Sequence, residues 1–141
     1  MWSATTECGK RLALARVYAI WQTAGAEIAE MDAARHNKIL VATSHLPHIL
    51  AYAMVDVLRK MDGEGGILRC TAGFRDFSRL AASDPQMWAD ICLANADAII
   101  PLLEDFDSQL KSIIHAIRGG EGESLKAIFA RAVEYRGRQY G

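Results

Sequence analysis

The stretch SDPQMWADICLANADAIIPLLEDFDSQLKSIIHAIRGG, residues 83–120, decides the fold class. Within it Trp88, Ile91, Cys92, Asn95, Ile99, Leu102, Leu103, Phe106, Leu110, Ile113, Ile114 and Ile117 recur at three- and four-residue intervals. That is the period of a helix with one apolar face. Ser83 and Gln86 match a capping box, and Pro85 suits a first helical turn, where its missing N–H has no partner to lose. Gly119 and Gly120 end the run. Read as one helix, it extends about 50 Å, whereas a compact chain of this length has a radius of gyration near ~14 Å. An apolar stripe that outreaches its own subunit needs a second surface, and a two-fold copy is the commonest source. The spacing therefore predicts an intimate homodimer, with Pro101 as a point where the helix can kink.

Working outward, the same period appears in Ile39, Leu40, Ala42, Leu46, Ile49, Leu50, Ala53, Met54, Val57 and Leu58, preceded by Asp32 as N-cap. This predicts a second, largely buried helix, kinked or broken at Pro47. Leu12, Ala15, Val17, Ala19, Ile20 and Ala24 predict a helix over 10–24 that stops at Gly25, followed by a short strand over 26–31. A lone strand leaves its backbone groups unpaired, so this piece calls for neighbours. Gly63 to Gly66 reads as a loop, and 67–82 as a turn entering a short helix. Leu125, Ile128, Phe129 and Val133 give a last helix, ending near Gly137 in a tail with Arg131, Arg136 and Arg138. The fold class is mainly α.

Composition narrows the function. A chain of 141 residues with 51% hydrophobic content buries one core. Its 16 Lys and Arg against 17 Asp and Glu, net charge -1, offer no basic field to a nucleic acid. Cys8, Cys70 and Cys92 form no CxxC pair, which predicts reduced thiols and a cytoplasmic location. Residues 1–11 have no signal-peptide core, and no uncharged run reads as long enough to cross a bilayer, so no membrane partner is expected. No GxGxxG, P-loop or GxSxG is present, so no dinucleotide is expected to bind this chain alone.

Two polar constellations interrupt the apolar pattern. His36, Ser44, His45 and His48 lie on one helical run, where steps of about 80° and 40° bring His36, Ser44 and His48 to one broad side. One histidine there is explained by a bond to a backbone carbonyl at the Pro47 kink; three within residues 36–48 ask for more. Zinc needs third and fourth ligands that the pattern lacks, so no metal is expected. The second constellation is Arg75, Asp76 and Arg79, followed by Trp88. Asp76 and Arg79 are spaced for an ordinary surface ion pair. Phe74, Phe77 and Leu80 interleave these charges, setting a guanidinium beside apolar surface, where it suits a small carboxylate. Trp88 adds a flat wall and one N–H donor. Together these groups suit a small, ring-bearing dicarboxylate.

The run Ser44-His45-Leu46-Pro47-His48 with His36 before it, then 72–81 reading AGFRDFSRLA, then Ser83-Asp84-Pro85, Trp88 and Asn95, resembles the prephenate and arogenate dehydrogenase family. The similarity runs from about Leu12 onward. It implies a helical, interlocking homodimer domain over 32–141, preceded over 1–31 by the last helix and strand of a Rossmann domain whose remainder is missing. It implies oxidative decarboxylation of prephenate to 4-hydroxyphenylpyruvate, or of arogenate, with NAD or NADP bound by the missing domain, so that the isolated chain is inactive.

By the same resemblance Arg79 grips the ring carboxylate, and His48 and Trp88 contact the side-chain end of the substrate, with Arg75 assisting. Ser44 orients a catalytic histidine of the missing domain, His36 shapes the pocket, and Asp76 forms a gating ion pair across its mouth. The chain departs from the family pattern at Ala72, after Arg69-Cys70-Thr71, and in residues 1–9, which lack the strand expected there. The alternative is a non-catalytic helical dimer module that binds an aromatic amino acid as a regulator.

Overall fold

The computed structural model describes residues 3–62 and 72–140. Their helices are α1 (Ser3–Thr23), α2 (Ala33–Leu40), a π-helical turn (Val41–His45), α3 (Leu46–Met61), α4 (Ala72–Ser78), a 3-10 turn (Arg79–Ala82), α5 (Pro85–Ala94), α6 (Ala96–Arg118) and α7 (Gly122–Tyr140). The predicted loop at 63–66 and the departure at 69–71 lie outside the described residues. The chain divides into two compact units, Met1–His36 and Asn37–Gly141.

In the first unit α1 begins at Ser3, well before the predicted start at residue 10. It ends as expected at Gly25, whose φ of 80° only glycine adopts freely. Ala26 N–H bonds Trp21 O at 3.0 Å and Gly25 N–H bonds Gln22 O at 3.0 Å, so the last carbonyls are paired. The strand predicted over 26–31 does not form: those residues are irregular, and no neighbouring strand exists among the described residues to pair with. Asp32 caps α2 as predicted, its Oδ1 accepting from Arg35 N–H at 2.9 Å.

The second unit begins within α2. Pro47 neither breaks nor simply kinks the helix; the chain passes it through the π turn. There Leu46 N–H reaches back five residues to Val41 O, and Pro47, which has no N–H to place, falls in the first turn of α3. This continuity makes Ala33–Met61 one helical run, long and apolar enough by length and composition to cross a membrane. It is not an uncharged run, since it carries Arg35, Lys38, Asp56, Arg59 and Lys60. The run is also less buried than predicted. Val41 and Ala51 are buried, but Val57 is 55% exposed, since within one chain much of its apolar circumference meets no partner.

The long helix predicted from residue 83 to 118 is two helices. Asn95 turns its side chain back onto Ile91 O at 2.8 Å, competing with the backbone ladder, and its φ and ψ of -118° and 20° leave the helical range. The second piece, α6, runs unbroken through Pro101 to Arg118, about 35 Å. The predicted stop holds: Gly120 has φ 64°, and Glu121 N–H bonds Ala116 O at 2.9 Å.

At the start of α5 the predicted capping box is replaced. Asp84 is the cap, accepting from Met87 N–H at 2.7 Å, while Ser83 Oγ turns away to Leu80 O and Gln86 bonds Asp90. At the carboxy end α7 continues through Gly137 to Tyr140, past the predicted end. Within the second unit α3 packs on the π turn, the 3-10 turn, α4 and α6, and α6 packs on α5 and α7. The buried apolar residues described are Val41, Ala51, Trp88, Ile99 and Ala116, a thin core for this many helices.

Candidate functional site

The site grows from the helix passing Pro47. Ser44 and His45 close the π turn and His48 sits one turn into α3. His48 Nδ1 lies 2.9 Å from Ser44 O, so the ring donates to the carbonyl four residues before it. This is the backbone bond anticipated for a histidine at Pro47. It accounts for one nitrogen of one ring, not for the cluster.

The rest of the cluster is organised by Trp88 from α5. Trp88 is 8% exposed, and the His48 ring lies flat on it, centroids 4.0 Å apart and planes 18° from parallel. His45, three residues earlier and on the same side of the helix, meets the same indole edge-on, at 5.9 Å and 83°. Two imidazoles thus clamp one indole from face and edge. His45 Nδ1 and Trp88 Nε1 are both buried without a hydrogen-bond partner among the described residues, an uncommon condition for polar atoms in a packed interior.

Beside this stack lies an apolar hollow of about 290 Å³ lined by Ile49, Tyr52, Pro85, Trp88, Ala89 and Cys92. Tyr52 ties its walls together, its hydroxyl donating to Ser83 O at 2.7 Å just ahead of α5. Sequence reasoning missed Tyr52 and Cys92 and gave His45 no role. Tyr52 stands four residues after His48 on one helix face, and that spacing was the available signal.

Arg75 and Asp76 lie on α4, and Arg79 opens the 3-10 turn that packs against α3. All three side chains are exposed. The ordinary pairing of Asp76 with Arg79 is not made, and none of the three holds an ion pair among the described residues, where such pairs do form at Asp56 with Arg59 and Lys60. Among the described residues the two arginines therefore present guanidinium groups that hold no ion pair. Ser78 Oγ bonds Arg75 O at 3.3 Å, helping the short helix tighten into the 3-10 turn.

His36 belongs to the first unit, exposed on the wall of a hollow of about 470 Å³ with Leu14, Tyr18, Ala29, Glu30, Met31 and Ala33. There the Glu30 carboxylate accepts from the Tyr18 phenol and holds its proton, raising the phenol above its ordinary pKa. No group of three or more His, Cys, Asp or Glu stands close enough to hold a metal ion among the described residues.

The family model described as the prephenate dehydrogenase dimerization domain matches residues 32–131. The chain is 37% identical over 127 residues to the cyclohexadienyl dehydrogenase of Zymomonas mobilis, covering 88% of this chain and 43% of that protein. It is 30% identical over 113 residues to the prephenate dehydrogenase of Bacillus subtilis, covering 79% and 30%. It thus spans less than half the length of these curated relatives. Among solved structures, prephenate dehydrogenase from A. aeolicus in complex with hydroxyphenyl propionate and NAD+ superposes with a TM-score of 0.72 at 32% identity, over 94% of this chain and 46% of that one. Synechocystis arogenate dehydrogenase, at 23% identity and a TM-score of 0.72 over 90% of this chain and 47% of that one, shares the fold.

Proposed function

This chain belongs to the prephenate dehydrogenase family, and from that membership we propose that it is the substrate-gripping and dimer-forming part of a cytoplasmic dehydrogenase that oxidatively decarboxylates prephenate or arogenate. The observation that carries the reading is the clamp: His48 and Trp88, far apart in sequence, meet face to face beside an apolar hollow. A flat wall and an imidazole serve the side-chain end of a ringed diacid, and the exposed guanidinium of Arg79 serves a carboxylate. Arg75 assists it, Ser44 orients a group of the nucleotide domain, and Asp76 pairs across the mouth of the site. The ligands named for the A. aeolicus structure, a hydroxyphenyl acid and NAD+, support a ring-bearing acid and a nicotinamide nucleotide for the whole enzyme.

The residues present do not fit the nucleotide itself. The positive-φ glycines among the described residues, Gly25 and Gly120, follow helices rather than a strand, and the sequence holds no GxGxxG. Hydride transfer therefore belongs to a separate nucleotide-binding domain, of which residues 1–31 are the trailing end. Incubating this chain alone with prephenate or arogenate and either nucleotide is expected to produce no reduced nucleotide, read at its near-ultraviolet absorbance. Robust turnover would refute the division of labour.

The dimer reading rests on a second hollow, of about 500 Å³, lined by Leu50, Ala53, Met54, Val57, Leu58, Phe77, Phe106 and Leu110. Beyond it α6 carries Ile117, 62% exposed. Apolar surface this extensive marks an interface. Sedimentation of the chain at micromolar concentration is expected to give a dimer, and Val57→Glu is expected to shift it toward monomer. A monomer in the unaltered chain would remove this part of the proposal.

A further inference from the structure

Tyr52 bonds to the junction between two elements that each carry one part of the candidate grip. Its hydroxyl donates to Ser83 O at 2.7 Å, across 31 residues of sequence. Ser83 stands between the 3-10 turn Arg79–Ala82 and Asp84, the cap of α5, and its φ and ψ of -75° and 165° are extended. The ladder of α5 opens with Trp88 N–H on Asp84 O, so Ser83 O lies ahead of it, and the phenol supplies a partner from α3. Ser83 is in turn fixed to its neighbours. Its Oγ donates to Leu80 O at 3.0 Å, inside the turn that Arg79 opens, and beside it Asp84 accepts from Met87 N–H at 2.7 Å, one residue from Trp88. A 3-10 turn has poorer internal bonds than an α-helix, so its orientation depends on such outside ties. Packing between α3 and the turn is non-directional, whereas this bond has a direction.

Resting on the reading above, in which Arg79 takes a carboxylate and Trp88 forms the flat wall, we propose that Tyr52 is a positioning residue. Its bond to Ser83 O sets where Arg79 stands relative to Trp88 and so matches the grip to the length of a ringed acid. Arg79 precedes Ser83 by four residues and Trp88 follows it by five, so a swing at this junction changes the span between them. Trp88 is held separately, by the stack of His48 one turn before Tyr52 on the same side of α3. The Tyr52 bond therefore governs the Arg79 end of the span. A ligand held at both ends binds more tightly when that span is fixed beforehand, because less freedom is lost on binding.

The test is calorimetry of prephenate and arogenate on the full chain carrying Tyr52→Phe, which keeps the ring that lines the hollow and removes the donor. Affinity for whichever compound the unaltered chain binds is expected to fall about three- to tenfold. In an Arg79→Ala background the same change is expected to lower affinity by less than about twofold, since the group it places is gone. A general loosening of the fold would lower affinity by the same factor in both backgrounds, and that result would overturn the inference. Unchanged affinity in Tyr52→Phe, or loss of its helical dichroism at the assay temperature, would overturn it as well. Each of these results leaves the functional reading in place. Binding of neither compound by the unaltered chain would overturn the functional reading, and the inference would fall with it.

Discussion

Replacing Trp88 with alanine is expected to destabilise the second unit by about 3–5 kcal/mol, the largest stability effect expected among the described buried residues. Trp88 is the bulkiest of the buried residues described, and it is the element on which two helical segments converge: His48 from α3 by stacking, His45 from the π turn by its edge. Truncation removes the transfer free energy of the indole and opens a void that the His48 ring, held by its bond to Ser44 O, is too tethered to fill. It also widens the hollow lined by Ile49, Tyr52, Pro85, Ala89 and Cys92. Trp88→Phe keeps a stacking face and drops a buried N–H that has no partner among the described residues, so only the smaller ring counts against it and a loss of about 1–2 kcal/mol is expected instead. Denaturant unfolding of the three proteins measures this directly. A midpoint for Trp88→Ala close to that of the unaltered chain would mean that the clamp is not packed as described.

The second large effect concerns affinity. In a protein that joins this chain to its nucleotide-binding domain, Arg79→Ala is expected to raise the KM for prephenate or arogenate by about 10- to 150-fold. That range corresponds to losing a charged hydrogen-bond donor to a carboxylate, about 1.5–3 kcal/mol. The guanidinium costs nothing to withdraw from this structure, because it is exposed and holds no ion pair among the described residues. Stability should therefore hold while binding falls, the reverse of the Trp88→Ala result. Arg79→Lys retains the charge but not the planar fork and is expected to recover only part of the affinity. Arg75→Ala, one turn away on α4, is expected to have a smaller effect. Unchanged kinetics for Arg79→Ala would remove it from the site.

The helical class and most helix ends were legible in the sequence because they rest on local chemistry. Gly25 and Gly120 stop helices through backbone conformations available to glycine, and Asp32 caps α2 with its own carboxylate. What escaped sequence reasoning were choices between two local solutions of similar cost. Asp84 and Ser83 are both good caps, and the phase in which the chain enters α5 selects Asp84. Asn95 sits in an apolar period that continues smoothly across it, so periodicity alone saw one helix where the asparagine side chain makes two. The candidate strand over 26–31 does not form because a strand is a property of a pair, and no partner strand stands among the described residues.

Within the candidate site, the bond of a histidine to a carbonyl near Pro47 was readable. The meeting of His45 and His48 on a single indole was not. It depends on how α5 approaches α3, which no spacing within either helix encodes. The absence of an Asp76–Arg79 pair was not legible either, since an i, i+3 spacing allows such a pair without requiring it.

The π turn over Val41–His45 holds one residue more than α-helical winding needs, so the segments on its two sides are out of phase by about 100°. Val41 is buried on one phase while His45 and His48 address Trp88 on the other. Deleting a single residue here would merge the two phases and leave hydropathy nearly untouched, yet either the valine or the histidine pair would turn outward. In this segment the count of residues is thus under constraint alongside their identity. A one-residue gap in a descendant would mark the loss of this contact with Trp88 more surely than many substitutions would.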